Sequence, residues 1–267
     1  MSVYIALVIA FVVSYLIGNI NFARIFSWAF AKKDITTVGS KNPGTMNMLR
    51  TRGFGEAILT LVMEAIKCGV PALVSYYLIG HFYAGYADLA FFIAGFAAIV
   101  GHCFPVFYKF KGGKGVACTF GLFTFHPVFW WMSLIGFVIC FLLLLFVVKF
   151  GSVVSLFYVT GMSVVATVLF STSYHPFLIA LLVIIWLNVI MIYALHHANL
   201  YRLFTGKENK VDLMSKLKKK KKSDQNLEVD DEENQNNDSV EEKVENTNQI
   251  EERTDENLKN DNNKDAN

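Results

Sequence analysis

The chain has 267 residues, 54% of them apolar and 17% charged, with a formal net charge of +2. That balance averages two unlike parts: residues 1–206 hold 12 Lys and Arg against 4 Asp and Glu, and residues 207–267 hold 12 against 18. An ordinary water-soluble domain is excluded for the first part. The scattered acids Asp34, Glu56, Glu64 and Asp88 also exclude chemistry that gathers a hard cation between carboxylates, so no metal or other cofactor is expected, and no nucleic-acid partner.

Apolar segments fall at about 3–30, 56–79, 88–107, 115–126, 127–148, 152–170 and 176–195. Most approach the roughly 20 residues that a spanning helix needs. The first lacks a preceding basic stretch and outruns a signal-peptide core, so it reads as a retained span. Arg24, near its inner end, can reach the interface along its aliphatic stem. The second carries Glu64 and Lys67, three residues apart and so on one helix face. A lone ion in lipid is costly, and the two are expected to pair inside the bundle, as a packing pair or as the wall of a polar site.

The fourth segment is too short for an ordinary crossing. Parity argues for one nonetheless: Lys114 and Lys149 should share a membrane face, and the 34 residues between them contain His126-Pro127. A single helix of that length would run about 51 Å against a core of about 30 Å, so two unequal crossings broken at the proline fit better. The loops at 32–55, 108–114, 149–151 and from 196 onward hold nearly all the cations of this part, and those at 80–87, 124–127 and 171–175 hold none. Positive charge marks the cytoplasmic side. The expected fold is an all-α integral membrane protein: a seven-helix bundle spanning residues 1–206, N-terminus outside, C-terminus cytoplasmic. Cys68, Cys103, Cys118 and Cys140 form no CxxC pair and sit among apolar residues, so neither a disulfide nor a zinc site is expected.

Three glycine- and cation-bearing segments lie at the cytoplasmic ends of the spans. In the first, Ser40, Asn42, Asn47 and Arg50 surround the Pro43-Gly44 turn, and Asn47 and Arg50 share a face of any short helix there. Arginine suits bidentate phosphate contact, and Ser and Asn add neutral hydrogen bonds. In the second, Lys111-Gly112-Gly113-Lys114-Gly115 opens an apolar helix. Glycines let backbone N–H groups approach an oxyanion, and a helix N-terminus adds partial positive charge. It is not a P-loop, because Gly115 stands where that motif needs Ser or Thr. In the third, His196 and Asn199 are spaced i, i+3 as the last span ends, and histidine is the usual proton-transfer side chain near neutral pH. Ser152, after Lys149-Phe150-Gly151, joins the same face.

These segments, in this order, resemble the acyl-phosphate-dependent glycerol-3-phosphate acyltransferases, the PlsY family of bacterial membranes. The likeness covers about residues 10–208. It rests on Gly39-Ser40, Asn42-Pro43-Gly44, Asn47 and Arg50; on Gly101-His102, Phe104-Pro105-Val106-Phe107 and Phe110 through Ala117; and on His196, Asn199-Leu200, Arg202-Leu203, Gly206 and Glu208. Departures are few. Gly18-Asn19-Ile20-Asn21-Phe22-Ala23 replaces a Gly-Ser-x-Pro-Phe-Gly turn, Lys41 stands at a usual glycine, Cys118 at a usual threonine, Glu64 at a usual aspartate, and His197-Ala198 at a usual Arg-Glu pair.

The resemblance implies transfer of a fatty acyl group from acyl phosphate to the 1-hydroxyl of sn-glycerol 3-phosphate, the first acylation of phospholipid biosynthesis. The enzyme would lie in the bacterial plasma membrane with its site facing the cytoplasm. Lys114, Ser152 and His196 are then the expected catalytic residues. Gly112, Gly113 and Gly115 would hold the acyl phosphate, and Ser40, Asn42, Asn47, Arg50, Lys111 and Asn199 would serve glycerol 3-phosphate. The His-x4-Asp dyad of acyl-CoA-dependent acyltransferases is absent. A small-anion transporter would instead need a polar pathway through the membrane. Residues 207–267 lack the apolar surface to fold alone and are expected to be a disordered cytoplasmic tail. Its Lys216–Lys222 cluster could meet anionic lipid headgroups.

Overall fold

The structure is a computed structural model that describes residues 2–210; the tail beyond them, with the Lys216–Lys222 cluster, lies outside the described residues. The described residues form helices without strands: α1 (Val3–Gly18), α2 (Phe22–Ala31), α3 (Thr45–Thr51), α4 (Phe54–Phe82), α5 (Ala87–Cys103), α6 (Val116–Phe125), α7 (Trp130–Phe146), α8 (Gly151–Thr172), α9 (Leu178–Leu195) and α10 (His197–Phe204). Five segments are long and apolar enough to cross a membrane: Val3–Ala31, Phe54–Phe82, Ala87–Tyr108, Gly151–Thr172 and Leu178–Leu195. α6 and α7 are shorter apolar helices. They break at His126-Pro127, where the proline was expected to divide a segment too long for one crossing.

The first apolar segment is also broken, at Asn19-Ile20-Asn21. Asn19 donates to Tyr15 O at 2.6 Å and accepts the Val106 N–H at 2.6 Å, and Asn21 caps α2 by accepting the Arg24 N–H at 3.0 Å. Two asparagines thus supply the local hydrogen bonds that let a helix stop inside an apolar segment. Arg24 does not simply extend to the interface. Its guanidinium pairs with Asp34 at 3.1 Å and lies over the Tyr108 ring.

Small residues set the packing, as is usual where helices must approach closely without a hydrophobic drive. A Cβ on Gly18 would stand 2.2 Å from Ala98 O, and one on Gly121 2.2 Å from Ala65 O, so α1 lies tight against α5 and α6 tight against α4. Within this frame the expected Glu64–Lys67 pair forms inside the bundle, both side chains almost wholly buried. Far from it in sequence, Phe91, Phe92, Phe129 and Phe170 surround His126, whose Nε2 meets Asp88 at 3.0 Å; His175 meets the same carboxylate at 3.1 Å. The Lys114 end and the His126 end of α6 therefore close on different chemistry.

Candidate functional site

At the Lys114 end, the second and third segments meet. Lys114 Nζ donates to Asn199 Oδ1, and Asn199 Nδ2 donates to Glu208 Oε1 at 2.7 Å. The same oxygen accepts Ser152 Oγ–H at 3.0 Å, and Glu208 Oε2 accepts Arg202 Nε–H at 3.0 Å. The loop before α6, the first turn of α8, α10 and the residues after it thus converge on one carboxylate. Arg50 enters from α3: its Nη2 donates to Asn209 O at 3.3 Å, and its charge acts on Lys114. Packing brings α3 here, since Met46 fills the space beside Gly151, where a Cβ would lie 2.4 Å from its methyl carbon.

The electrostatics favour an anion. Among the described residues, Lys114, Arg50 and Arg202 share the site with one carboxylate, Glu208. Burial, together with Arg202 and Arg50, pulls the Lys114 ammonium down to about 8, against a smaller upward pull from Glu208. Burial and the field of Arg202 also lower Arg50, opposed by Glu208. Burial would raise Glu208, but hydrogen bonds from Asn199, Ser152 and Arg202 outweigh it and hold the carboxyl below its ordinary value. Burial and nearby Lys114 lower His196 to about 4, so its ring is neutral near pH 7. Its Nδ1–H donates to Ile192 O at 2.8 Å, which fixes the tautomer and leaves Nε2 an acceptor with no hydrogen-bond partner among the described residues.

The glycine run works differently from the expectation. The amides of Gly112 and Gly113 do not face an anion; they donate to Cys103 O and His102 O, each at 3.1 Å. Glycine is needed there for close approach: a Cβ would stand 2.0 Å from His102 O at Gly112 and 2.1 Å from the His102 ring at Gly113. Gly115 is required for a different reason, its φ of +83° at the N-cap of α6. The first bond of α6 is Thr119 N–H to Gly115 O at 2.8 Å. The amides from Lys114 to Cys118 carry no acceptor among the described residues, and open amides at a helix start are the kind of donor that suits an anion.

Asn47 also has a different role from the expected one. Its Oδ1 accepts the Ser40 N–H at 2.9 Å and its Nδ2 donates to Ile35 O and Val38 O, each at 3.0 Å. Fully engaged and 1% exposed, it shapes the first segment rather than facing a ligand. Lys41 has a left-handed φ of +58°, which rationalises why glycine would suit that place. Ser40, Asn42 and Lys111 make no side-chain hydrogen bond among the described residues, so no hydrogen bond from these side chains joins them to the Lys114 cluster.

Sequence reasoning matched Arg202 and Glu208 to a motif but gave them no role, and left residue 208 beyond the helical part. Glu208 is 6% exposed, so the site extends past residue 206. The available signal was the charge pattern: an acid close behind a cation-rich segment needs those cations near it. As to metals, ligand atoms of Glu64, His102 and Cys118 lie within 4.8 Å of one another, but the Lys67 ammonium already binds Glu64 and His102 and fills the role of a cation there.

Comparison with known proteins gives a consistent picture. The sequence profile of the glycerol-3-phosphate acyltransferase family matches residues 8–206. A glycerol-3-phosphate acyltransferase of Bartonella henselae is 33% identical over 201 residues, covering 75% of this chain and 90% of the relative. One from Burkholderia ambifaria is 34% identical over 206 residues, covering 77% and 91%. Among solved structures, the crystal structure of PlsY, an integral membrane glycerol 3-phosphate acyltransferase, in its glycerol 3-phosphate form aligns with a TM-score of 0.66 at 25% identity, covering 79% of this chain and 98% of that one. Its lysophosphatidic acid form aligns at 0.63.

Proposed function

We infer the reaction from one premise: this chain belongs to the glycerol-3-phosphate acyltransferase family. Its relatives are named for acyl transfer to glycerol 3-phosphate, and we assign that activity here, with a fatty acyl phosphate as donor. The 1-hydroxyl oxygen attacks the acyl carbon, the bond from that carbon to the phosphate oxygen breaks, and the hydroxyl proton ends on inorganic phosphate. The products are 1-acyl-sn-glycerol 3-phosphate and phosphate.

The observation that carries this reading is the cation surplus around Lys114 at the open N-terminal amides of α6. Two phosphates must be held side by side, which calls for ammonium, guanidinium and amide donors and few acids. Lys114 and the amides from Lys114 to Cys118 hold the leaving phosphate and stabilise the charge that develops on it. Gly112, Gly113 and Gly115 shape that loop. Arg50, with Ser40, Asn42, Lys111 and Asn199, orients glycerol 3-phosphate, and Asn47 keeps the first segment in form. Ser152 stands beside Asn199 through Glu208 and supports one phosphate. His196 Nε2 accepts a hydrogen bond from the attacking hydroxyl. With its ring held to about 4 it orients that hydroxyl rather than keeping its proton, and the leaving phosphate is the better proton acceptor. An apolar groove of about 830 Å³ between α1 and α4 offers the acyl chain a place.

α6 and α7 count as two short crossings in this reading, giving seven spans with the N-terminus outside and the site on the cytoplasmic face of a bacterial plasma membrane. A charged tail follows the acyltransferase domain, and its Lys216–Lys222 cluster meets anionic lipid.

The test is phosphate release by the purified full chain in lipid, given acyl phosphate with and without glycerol 3-phosphate, with release of the free coenzyme A thiol followed in parallel for acyl-CoA and glycerol 3-phosphate. Release that requires both acyl phosphate and glycerol 3-phosphate is the expected result. Release from acyl phosphate alone would make the protein a hydrolase, turnover with acyl-CoA alone would change the donor, and silence throughout would overturn the assignment.

A further inference from the structure

The Glu64–Lys67 pair has a third member, and its geometry points to a function beyond packing. Glu64 Oε2 and Lys67 Nζ each lie 3.0 Å from His102 Nδ1, and the three side chains are 1%, 2% and 4% exposed. The cluster has contacts with three neighbouring segments. Glu64 Oε1 accepts the Phe22 N–H at 2.9 Å and Lys67 Nζ donates to Ile20 O, so the α1–α2 break is tied in. Cys118 in the first turn of α6 points its Sγ at Glu64 Oε2, at 3.7 Å. The far edge of the His102 ring lies directly beneath Gly113, so close that a Cβ there would stand 2.1 Å from Nε2 and 2.7 Å from Cε1.

We propose that Glu64, Lys67 and His102 are positioning residues for the reacting phosphate: the ion pair pins the imidazole at Nδ1, and the opposite edge of the pinned ring supports the loop that places Lys114. This rests on the reading that the Lys114 loop binds the donor phosphate. A pair needed for packing alone gains little from its charges, because buried ion pairs are often no better than apolar replacements of similar shape. Here the charges fix a ring whose edge sets the height of a backbone, and a displacement of about 1 Å in a positioning element can cost about a hundredfold in rate.

The two glycines make the idea testable, because their obstacles differ. The three atoms nearest to a Cβ at Gly113 all belong to the His102 ring, whereas those nearest to a Cβ at Gly112 are His102 O, Pro105 Cδ and Cys103 O. Steady-state kinetics on the full chain should therefore show coupling at one site only. Gly113→Ala and His102→Asn each raise KM for acyl phosphate by about tenfold or more, and the double variant returns to within about threefold of His102→Asn alone. Gly112→Ala gains nothing from His102→Asn. Glu64→Gln, which replaces no atom of the ring or the loop but removes the charge that pins the ring, reproduces the KM increase of His102→Asn.

Melting temperatures in detergent are measured on the same proteins. Additive KM losses for Gly113→Ala and His102→Asn would overturn the proposal. So would coupling in melting temperature without coupling in KM, which would leave the cluster a packing element. A wild-type protein with no turnover on acyl phosphate and glycerol 3-phosphate would overturn the functional assignment itself, and the positioning role with it. A double variant that fails to fold would shift the decision to Glu64→Gln, where an unchanged KM overturns the proposal.

Discussion

The two ends of α6 each gather histidine and a carboxylate, yet they differ in what they leave open. At the His126 end both rings are saturated: Nδ1 of His126 accepts the Val128 N–H and Nδ1 of His175 accepts the Phe177 N–H, each at 3.2 Å, while each Nε2–H donates to Asp88. At the Lys114 end His196 uses one nitrogen and keeps the other as an acceptor, α6 begins with open amides, and cations outnumber the carboxylate. Residue type does not separate a clasp from a site. Open hydrogen-bonding capacity and uncompensated charge do.

That contrast can be broken by substitution. Glu208→Ala strands Ser152, Asn199 and Arg202 together, and kcat/KM should fall by about a hundredfold; a loss under threefold would mean the carboxylate organises nothing the reaction uses. The pH profile sharpens the contrast. Lys114 titrates from about 8, and the cation is the useful form, so activity should be full below that pH and fall as pH rises through it, approaching tenfold per pH unit. His196, neutral from about 4 upward, should add no acid limb between pH 6 and 7. At the other end, Asp88→Asn should lower stability by about 1–3 kcal/mol, seen as a lower melting temperature, with KM and kcat nearly unchanged. A large KM effect there would erase the distinction between the ends. Deletion from Lys218 onward should leave turnover intact, and a tenfold loss would contradict the account.

Much of this was readable from residue order. Glycines, cations and span ends pointed to the Lys114 end, and His126-Pro127 marked the break between α6 and α7, because proline and local charge act where they stand in the chain. Long-range partners were not readable. That Asn47 serves Ile35, Val38 and Ser40, or that the Gly112 and Gly113 amides bond back to α5, depends on how a loop folds over another element. Nor could spacing join Glu208 to Ser152, 56 residues away, or show the His102 ring as the floor under Gly113. The Asp88 clasp joins three segments, and no local pattern announces it.

The central claim is that the Lys114 ammonium neutralises the phosphate that departs. Its most direct test is kcat/KM of Lys114→Ala for acyl phosphate at saturating glycerol 3-phosphate, beside a melting curve of the same protein. The account predicts a loss of about two to three orders of magnitude in a protein that melts near the wild type. Near-normal turnover in a folded Lys114→Ala protein would contradict it.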